Sequence, residues 1–212
     1  MPNLPISQLP SAGSLNGAEL FAIVQGGVTK NTTLNSITYI QGNNYGLFNQ
    51  TGSSTPVTNT TTESSLLDGG VGTLSVPANG FSVGDGYKLS MTGHISSKNN
   101  DTLRIKVKTG AVILADTGLI TMPSATNKHW NLDVDFAIRA TGVAGVASIA
   151  SGGKFFYTKN ASNAFEGANF SVINSSSFDT TTNNTLAITA QWGAADPLNS
   201  IYSEIAILNK VF

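Results

Sequence analysis

Over residues 64–212 the sequence alternates between apolar and polar side chains, and this period of two limits the fold more than any other feature of the chain. The clearest run, WNLDVDFAIR at residues 130–139, has an apolar residue at every second position. Similar runs cover residues 87–95, 102–108 and 186–192. Such alternation gives a strand one face on a core and one face toward solvent or a partner, as in antiparallel sheets.

Apolar runs bounded by glycine, proline, asparagine or aspartate predict further short strands, and no stretch has a useful helical period. We expect these strands at residues 71–76, 111–115, 146–150, 154–158 and 201–211. About eight or more strands at this spacing predict an all-β fold. Residues 64–212 are therefore expected to form a head domain, an antiparallel β-sandwich with jelly-roll-like connections.

The last expected strand is apolar on both faces. Strict alternation puts Ile201, Ile205 and Ile207 on one face, and the other face then carries Tyr202, Ala206, Leu208 and Phe212. A strand that is apolar on both faces is buried on both. We therefore predict that Tyr202, Leu208 and Phe212 contact another subunit. The alternative is a central strand that a loop partly covers.

The first sixty residues differ from the rest of the chain because they carry only two charged side chains, Glu19 and Lys30. Pro2, Pro5 and Pro10 lie among apolar residues, and each removes a backbone donor and favours an extended predecessor. An extended apolar peptide is expected here. The residues after it predict a β-hairpin, because two β-favouring runs at 19–25 and 28–34 flank Gly26-Gly27.

Short spaced elements in this segment resemble a known family. The order ISQLP at residues 6–10, LNGAEL at 15–20 and VQGGVTK at 24–30 is similar to the virion-proximal N-terminal module of phage tail-fibre, head-fibre and spike proteins. The resemblance covers roughly residues 3–40. The strand pattern of residues 64–212 also resembles the trimeric jelly-roll heads of viral spikes and fibres.

The resemblance implies that residues 1–40 anchor the chain to a viral particle by contacting capsid or tail proteins. The apolar side chains expected to make these contacts are Leu4, Ile6, Leu9, Leu20, Phe21 and Ile23. It also implies a homotrimer, located on the virion and made in the host cytoplasm. Since an isolated hairpin is marginal in water, the segment needs a partner on physical grounds as well.

Residues 41–63 read QGNNYGLFNQTGSSTPVTNTTTE, which is rich in Gly, Asn, Ser and Thr. A composition of this kind buries little apolar surface and predicts a polar linker or stalk. Tyr45, Leu47 and Phe48 are exceptions that are suited to contact a neighbour. The sequence thus predicts three parts, an anchor at 1–40, a linker at 41–63 and a head at 64–212.

Composition excludes several classes of function. The formal net charge is −1 and no segment is strongly basic, so nucleic acid is not an expected partner. The chain has no cysteine, which removes disulfides and thiolate metal sites. No apolar run reaches the about 20 residues of a membrane span, and the first residues do not resemble a secretory signal. We expect a soluble chain without a cofactor.

Candidate catalytic groups have plainer interpretations. His94 and His129 have no metal-ligand spacing and are expected at structural or surface positions. Asp133 and Asp135 share one strand face, which we interpret as a solvated surface and not as an acid–base pair. One hypothesis pairs them across strands with Arg104, Lys106 and Lys108. Neither a P-loop nor a nucleophile elbow occurs, so we predict no enzyme, no catalytic residue and no metal site.

Three aromatic residues are candidates for a binding site on loops, which often carry function over a rigid sandwich. They are Phe165, Phe178 and Trp192, although Trp192 continues an apolar strand face and is expected in the core. Three functions follow as hypotheses. The first is a virion fibre, spike or decoration protein whose head attaches to a host glycan or protein receptor. The alternatives are a capsid cement protein without a receptor role and a carbohydrate-binding module.

Overall fold

The computed structural model describes residues 20–33, 46–159 and 162–212. The chain divides into two compact units, Met1–Asn43 and Asn44–Phe212. In the first unit, strands β1 (Leu20–Gln25) and β2 (Val28–Thr33) pair antiparallel. Gly26 and Gly27 form the turn at φ of 61° and 75°. Two-residue hairpin turns of the favoured type need positive φ at both central positions, so the Gly-Gly pair confirms the predicted hairpin.

The second unit is built from strands alone in its described residues. They are β3 (Gly46–Gln50), β4 (Val57–Thr58), β5 (Ser64–Ser65), β6 (Gly70–Gly72), β7 (Ser75–Val76), β8 (Gly86–Ser97), β9 (Thr102–Thr109), β10 (Val112–Asp116), β11 (Ile120–Thr121), β12 (Ala125–Ala140), β13 (Ser148–Thr158), β14 (Phe165–Asn174), β15 (Asn184–Trp192) and β16 (Ser200–Lys210).

Two antiparallel sheets pack against each other. The eight-stranded sheet has the order β14-β13-β12-β8-β16-β3-β6, and β4 adds to β16. The six-stranded sheet has the order β10-β9-β15-β5, with β11 on β9 and β7 on β15. The all-β class and the β-sandwich are therefore confirmed, while the jelly-roll connectivity stays a prediction.

The core lies between the sheets and follows the period of two in the sequence. Trp130, Leu132 and Val134 of β12 are fully buried, as are Leu103 and Ile105 of β9 in the facing sheet. Each such side chain contributes roughly 1.5–3 kcal/mol by leaving water. The Nε1 of Trp130 donates hydrogen bonds to the backbone oxygens of the adjacent strands β8 and β16, at 3.2 and 3.1 Å. The alternating runs are thus strands with one buried face, as predicted.

Three of the short predicted strands differ from the structure. The expected strands at 146–150 and 154–158 are one continuous strand, β13, which runs through Gly152 and Gly153. The ring of Phe170 on β14 lies over Gly153 and covers the backbone that lacks a side chain. The expected strand at 71–76 is divided into β6 and β7, which belong to different sheets.

The predicted linker at 41–63 is wrong from residue 46 onward, because this stretch belongs to the sandwich. β3 pairs with β16 and β6, and Phe48 on β3 is only 6% exposed. Val57 is buried as well, and its carbonyl accepts a hydrogen bond of 3.0 Å from the Nε1 of Trp192. A few apolar residues at the correct spacing are enough here, since strand pairing satisfies the polar backbone.

A buried hydrogen-bond network fixes this stretch against β16. The Ser203 hydroxyl is fully buried and donates to the carbonyl of Leu66 at 2.6 Å, while Gln50 Nε2 donates to Ser203 Oγ at 3.0 Å. The backbone of Ser203 exchanges hydrogen bonds with Ser54, whose N–H donates at 2.8 Å and whose Oγ accepts at 2.9 Å. The polar residues of this stretch, whose composition predicted a linker, therefore form buried hydrogen bonds that hold it in the sandwich.

A β-bulge in β16 overturns the predicted faces of the last strand. Ser203 lies opposite Gly93 and Ile205 lies opposite Thr92, so Glu204 is an extra residue. A Cβ at Gly93 would lie 2.0 Å from the Tyr202 carbonyl oxygen, which leaves room only for glycine.

Beyond the bulge the parity of the strand changes. Ile201 and Leu208 are both buried in the core, whereas Ile205 is 47% exposed on the outside. Leu208, expected beside Tyr202 at a subunit contact, is 6% exposed and packs inside its own chain. Because a one-residue shift reverses every side chain that follows, a strict alternation rule could not place it correctly.

Charges also hold the 46–63 stretch in place. Glu63 forms ion pairs with Lys106 and Lys108 of β9 and accepts a hydrogen bond of 2.9 Å from Thr189 Oγ1 on β15. Hydrogen bonds from the two ammonium groups lower the pKa of Glu63 from 4.5 to about 2, in the order Lys106 and then Lys108. Glu63, which directly precedes β5, therefore binds side chains of two strands of the six-stranded sheet.

Replacing Phe48 with alanine tests whether residues 46–63 are part of the sandwich. We expect the free energy of unfolding of the full chain to fall by about 3–5 kcal/mol, because a buried aromatic ring is lost from the core. Asn49→Ala is the matched control, since Asn49 is exposed on the same strand, and it should change stability by about 0.5 kcal/mol or less. Equal losses in denaturant titrations of both variants would contradict the assignment.

Stability should also depend on the protonation of Glu63. Its folded-state pKa lies below the unfolded one, so its contribution is complete above about pH 4.5 and is lost as the pH falls toward 2. We expect Glu63→Gln to lower the free energy of unfolding at neutral pH by on the order of 1 kcal/mol. The gap to the unaltered chain should close at the acid end of a pH series of thermal unfolding. Parallel curves would show that the carboxylate charge contributes nothing.

Candidate functional site

The outer face of the eight-stranded sheet is the surface on which most of the chemically distinctive side chains meet. We define the outer face as the side chains of β14, β13, β12, β8 and β16 that point away from the core. Strand register places His129, His94 and Tyr202 side by side across three neighbouring strands. The next row toward the strand centres carries Phe156, Asn131, Thr92 and Ile205.

The two histidines form one ring cluster on the outer face. The ring centroids of His94 and His129 are 4.2 Å apart, and Tyr202 stacks on His94 at 5.7 Å with an interplanar angle of 29°. The β-bulge brings Glu204 close, with its Oε1 3.3 Å from His94 Nδ1. In the described part of the chain, no three His, Asp or Glu side chains are placed to hold a metal ion. The cluster is therefore a stacked surface group.

Asp133 and Asp135 also lie on the outer face, as predicted for a solvated strand face. Asp133 lies between Lys154 and Ser90 in the register, and Ser90 Oγ donates a hydrogen bond of 3.0 Å to its Oδ1. Asp135 lies opposite Lys88. The two carboxylates share a row of polar residues and do not converge on a cleft.

The predicted ion pairs between these aspartates and Arg104, Lys106 and Lys108 are wrong. The three cations lie on β9, in the other sheet, and they bind different carboxylates. Arg104 Nε donates to Asp116 Oδ1 at 2.8 Å, and this hydrogen bonding lowers the pKa of Asp116. The charge pattern alone did not reveal which sheet each strand joins.

A shallow groove opens on the outer face at the end of the sheet. Its volume is about 380 Å³, and the outward-pointing side chains that define it are Lys154, Phe156, Phe165 and Asn169, with Gly167 between them. The rings of Phe156 and Phe165 are perpendicular, at 89° with centroids 5.5 Å apart. Lys154 Nζ lies 5.7 Å from the centre of the Phe156 ring. We call this site the aromatic groove.

Glu166 is held in a fixed position beside the aromatic groove. Tyr157 is fully buried, and its hydroxyl donates a hydrogen bond of 2.8 Å to Glu166 Oε2. Lys159 Nζ lies 3.1 Å from the same oxygen. These two hydrogen bonds, first that of Tyr157, lower the pKa of Glu166, whereas burial raises the pKa of Tyr157. The carboxylate is therefore charged and oriented.

The three aromatic candidates for a loop site have three different outcomes. Phe165 is 71% exposed but begins strand β14 and is not on a loop. Phe178 is fully buried and packs edge-on against Phe81 at 5.7 Å, so the prediction of a binding role on a loop is wrong for it. Trp192 lies in the core at 1% exposure, as predicted.

Phe156 is the groove residue that sequence reasoning missed. It lies between the buried Phe155 and Tyr157 in the run FFY, so the period of two points its side chain outward. That signal was present in the sequence. What the sequence lacked was the pairing of β13 with β14, which brings Phe165 to the same surface.

The remaining predicted contact residues fall into two groups. Tyr202 lies on the outer face and Phe212 is 83% exposed, so both are accessible in the single chain. Of the six predicted anchoring residues, Leu20, Phe21 and Ile23 lie on β1. Leu4, Ile6 and Leu9 lie outside the described residues.

The interior has less space for a ligand than the outer face. A cavity of about 50 Å³ remains at one end of the core, and its walls are mainly apolar side chains such as Phe81, Phe136 and Leu186. A space of this size holds at most a few water molecules. The aromatic groove is thus the better candidate site.

Comparisons with protein-family models, with curated proteins and with solved structures give no match to this chain. In the described residues there is also no helix of the length and apolarity that crossing a membrane requires. Assignment of a function therefore depends on the geometry of the two units and of the outer face.

Proposed function

We propose that the protein is a structural component of a viral particle, anchored by its N-terminal segment and projecting its β-sandwich head outward for host attachment. The observation that carries the proposal is the division of the chain into a hairpin unit, Met1–Asn43, and a sandwich, Asn44–Phe212. A two-stranded hairpin gains little stability by itself in water. A unit of this kind is suited to bind a larger partner.

The sandwich has the opposite character, because its core is complete within its own chain. Fully buried side chains from both sheets, including Trp130 and Trp192, fill the space between them. Such a head is expected to keep its fold without support from the N-terminal unit. The resemblance of residues 3–40 to virion-proximal fibre modules agrees with this division of labour.

We further propose that the head is a homotrimer, with its contact on the β16 side of the outer face. Ile205 is 47% exposed near Tyr202 on the same strand, and Phe212 is 83% exposed beyond the other end of that strand. Large apolar side chains that cluster on a surface favour burial by a partner. The aromatic groove, on β13 and β14, is three to four strand spacings from β16, about 14–19 Å, so both surfaces can act together.

Removing residues 1–43 tests the anchor. We expect the remaining head to keep the unfolding midpoint of the full chain but to be absent from particles of the virus that encodes it, because only the partner-dependent unit is lost. The measurement is the amount of the protein in purified particles, compared with its amount in the cell.

A second variant controls for the size of that deletion. Replacing Gly26 and Gly27 together with valine disfavours the positive φ of the turn and leaves the chain length unchanged. Its incorporation should fall as well. Normal incorporation of the 1–43 deletion would refute the anchor, and a cement role would be favoured if incorporated protein does not affect host binding.

The trimer is tested by Ile205→Lys in the full chain. Because Ile205 is half exposed, the variant should fold, but a charge in an apolar contact should convert trimers to monomers in sedimentation experiments. Leu119→Lys is the matched control, since Leu119 is 71% exposed on the strand connection of the other sheet. A monomeric unaltered chain, or equal behaviour of both variants, would contradict the proposed contact.

A further inference from the structure

We propose that the aromatic groove is a saccharide-binding site. The proposal rests on the attachment role inferred above, because a head that attaches to a cell surface needs a recognition site. A pyranose ring has apolar C–H faces and a polar rim of hydroxyl groups. One wall of the groove is apolar and can contact the C–H faces, and the other wall is polar and can bind the hydroxyl groups.

The apolar wall consists of Phe156 and Phe165. Phe165 is 71% exposed, yet it stands on a strand and its ring meets the Phe156 ring edge to face at 5.5 Å. Contacts of this geometry stabilise the pair by about 0.5–1.5 kcal/mol. The two rings are therefore positioned before a ligand arrives, which lowers the entropy lost on binding.

The polar wall consists of Lys154 and Asn169. In the described residues, neither the Lys154 ammonium nor the Asn169 side chain has an ion-pair or hydrogen-bond partner, so both are available to a ligand. Glu166 lies on the core-facing side of β14, where Tyr157 and Lys159 bind its carboxylate, so it is not part of this wall. An ammonium donates, and an amide both donates and accepts, which matches the mixed donors and acceptors of sugar hydroxyls.

The groove has the size of a small-ligand site. Gly167 lies opposite Phe156 in the register, and because a Cβ there would lie 2.0 Å from the Phe155 carbonyl oxygen, no side chain projects from this position between the two walls. The volume of about 380 Å³ lies in the range of pockets that bind small molecules, about 300–1,000 Å³. One or two sugar rings fit such a space.

The charge of the groove disfavours nucleic acid as the occupant. A single ammonium, that of Lys154, lines it, and the whole chain has a net charge of −1. Binding to phosphate backbones depends on several cationic contacts. A neutral or singly acidic saccharide fits better, since Lys154 pairs with one carboxylate at most.

The test begins with the full-length chain on an array of defined neutral and acidic oligosaccharides, followed by calorimetry with the strongest binder. We expect Phe165→Ala to weaken binding at least tenfold and Lys154→Ala to weaken it as well. Ile173→Ala is the matched control, because Ile173 is 60% exposed at the other end of the same strand and on the same face. It should bind like the unaltered chain.

Three results would overturn the proposal. They are the absence of binding to every oligosaccharide, an equal loss in the Phe165 and Ile173 variants, and a change of sedimentation state in Phe165→Ala, which would make the groove a contact between copies. Incorporation of Phe165→Ala into particles is measured in parallel and should be normal. Loss of saccharide binding and loss of anchoring are thereby separate readouts, so either proposal can fail alone.

Discussion

The buried hydroxyl of Ser203 is the contact on which the rest of the head depends. It joins Gln50 and Leu66 to the interior strand β16, while the Ser203 backbone N–H donates to Ser54 Oγ, and together these bonds make a polar stretch part of the sandwich. A buried polar group that keeps all its partners specifies a single arrangement, whereas losing one partner costs about 1–3 kcal/mol. The positions of β3, β4 and the residues that lead to β5 depend on these hydrogen bonds.

The two outer surfaces of the sandwich differ in chemistry. The six-stranded sheet neutralises its cations within the chain, through Glu63 with Lys106 and Lys108 and through Asp116 with Arg104. The outer face of the eight-stranded sheet instead presents rings and branched aliphatic side chains beside a row of polar and charged groups that includes Asp133, Asp135 and Lys154. Charged groups that already pair within the chain are less available to a ligand, whereas exposed rings on rigid strands are available for contact. The asymmetry gives the head one surface for recognition and assembly.

Much of the fold could be predicted from the sequence, because it follows from local patterns. The period of two predicted the long strands, and Gly26-Gly27 predicted the hairpin. Interactions between distant residues could not be predicted in this way. The placement of Phe48 depends on pairing with β16, the partners of Lys106 depend on sheet assignment, and the aromatic groove depends on a connection between β13 and β14. Phe178 shows that an aromatic residue between strands is often core.

The bulge in β16 has a consequence for how the chain tolerates changes in length. Ser203 points inward, Ile205 outward and Ala206 inward, so the strand would alternate regularly if Glu204 were absent. Most single-residue deletions in a buried strand reverse its faces, but this one would not. Glu204 is thus an extra residue that the core does not require, and the glycine at position 93, opposite Ser203, leaves room for the close approach of the backbone at the bulge. The two positions are structurally coupled, and the extra residue places a carboxylate beside His94.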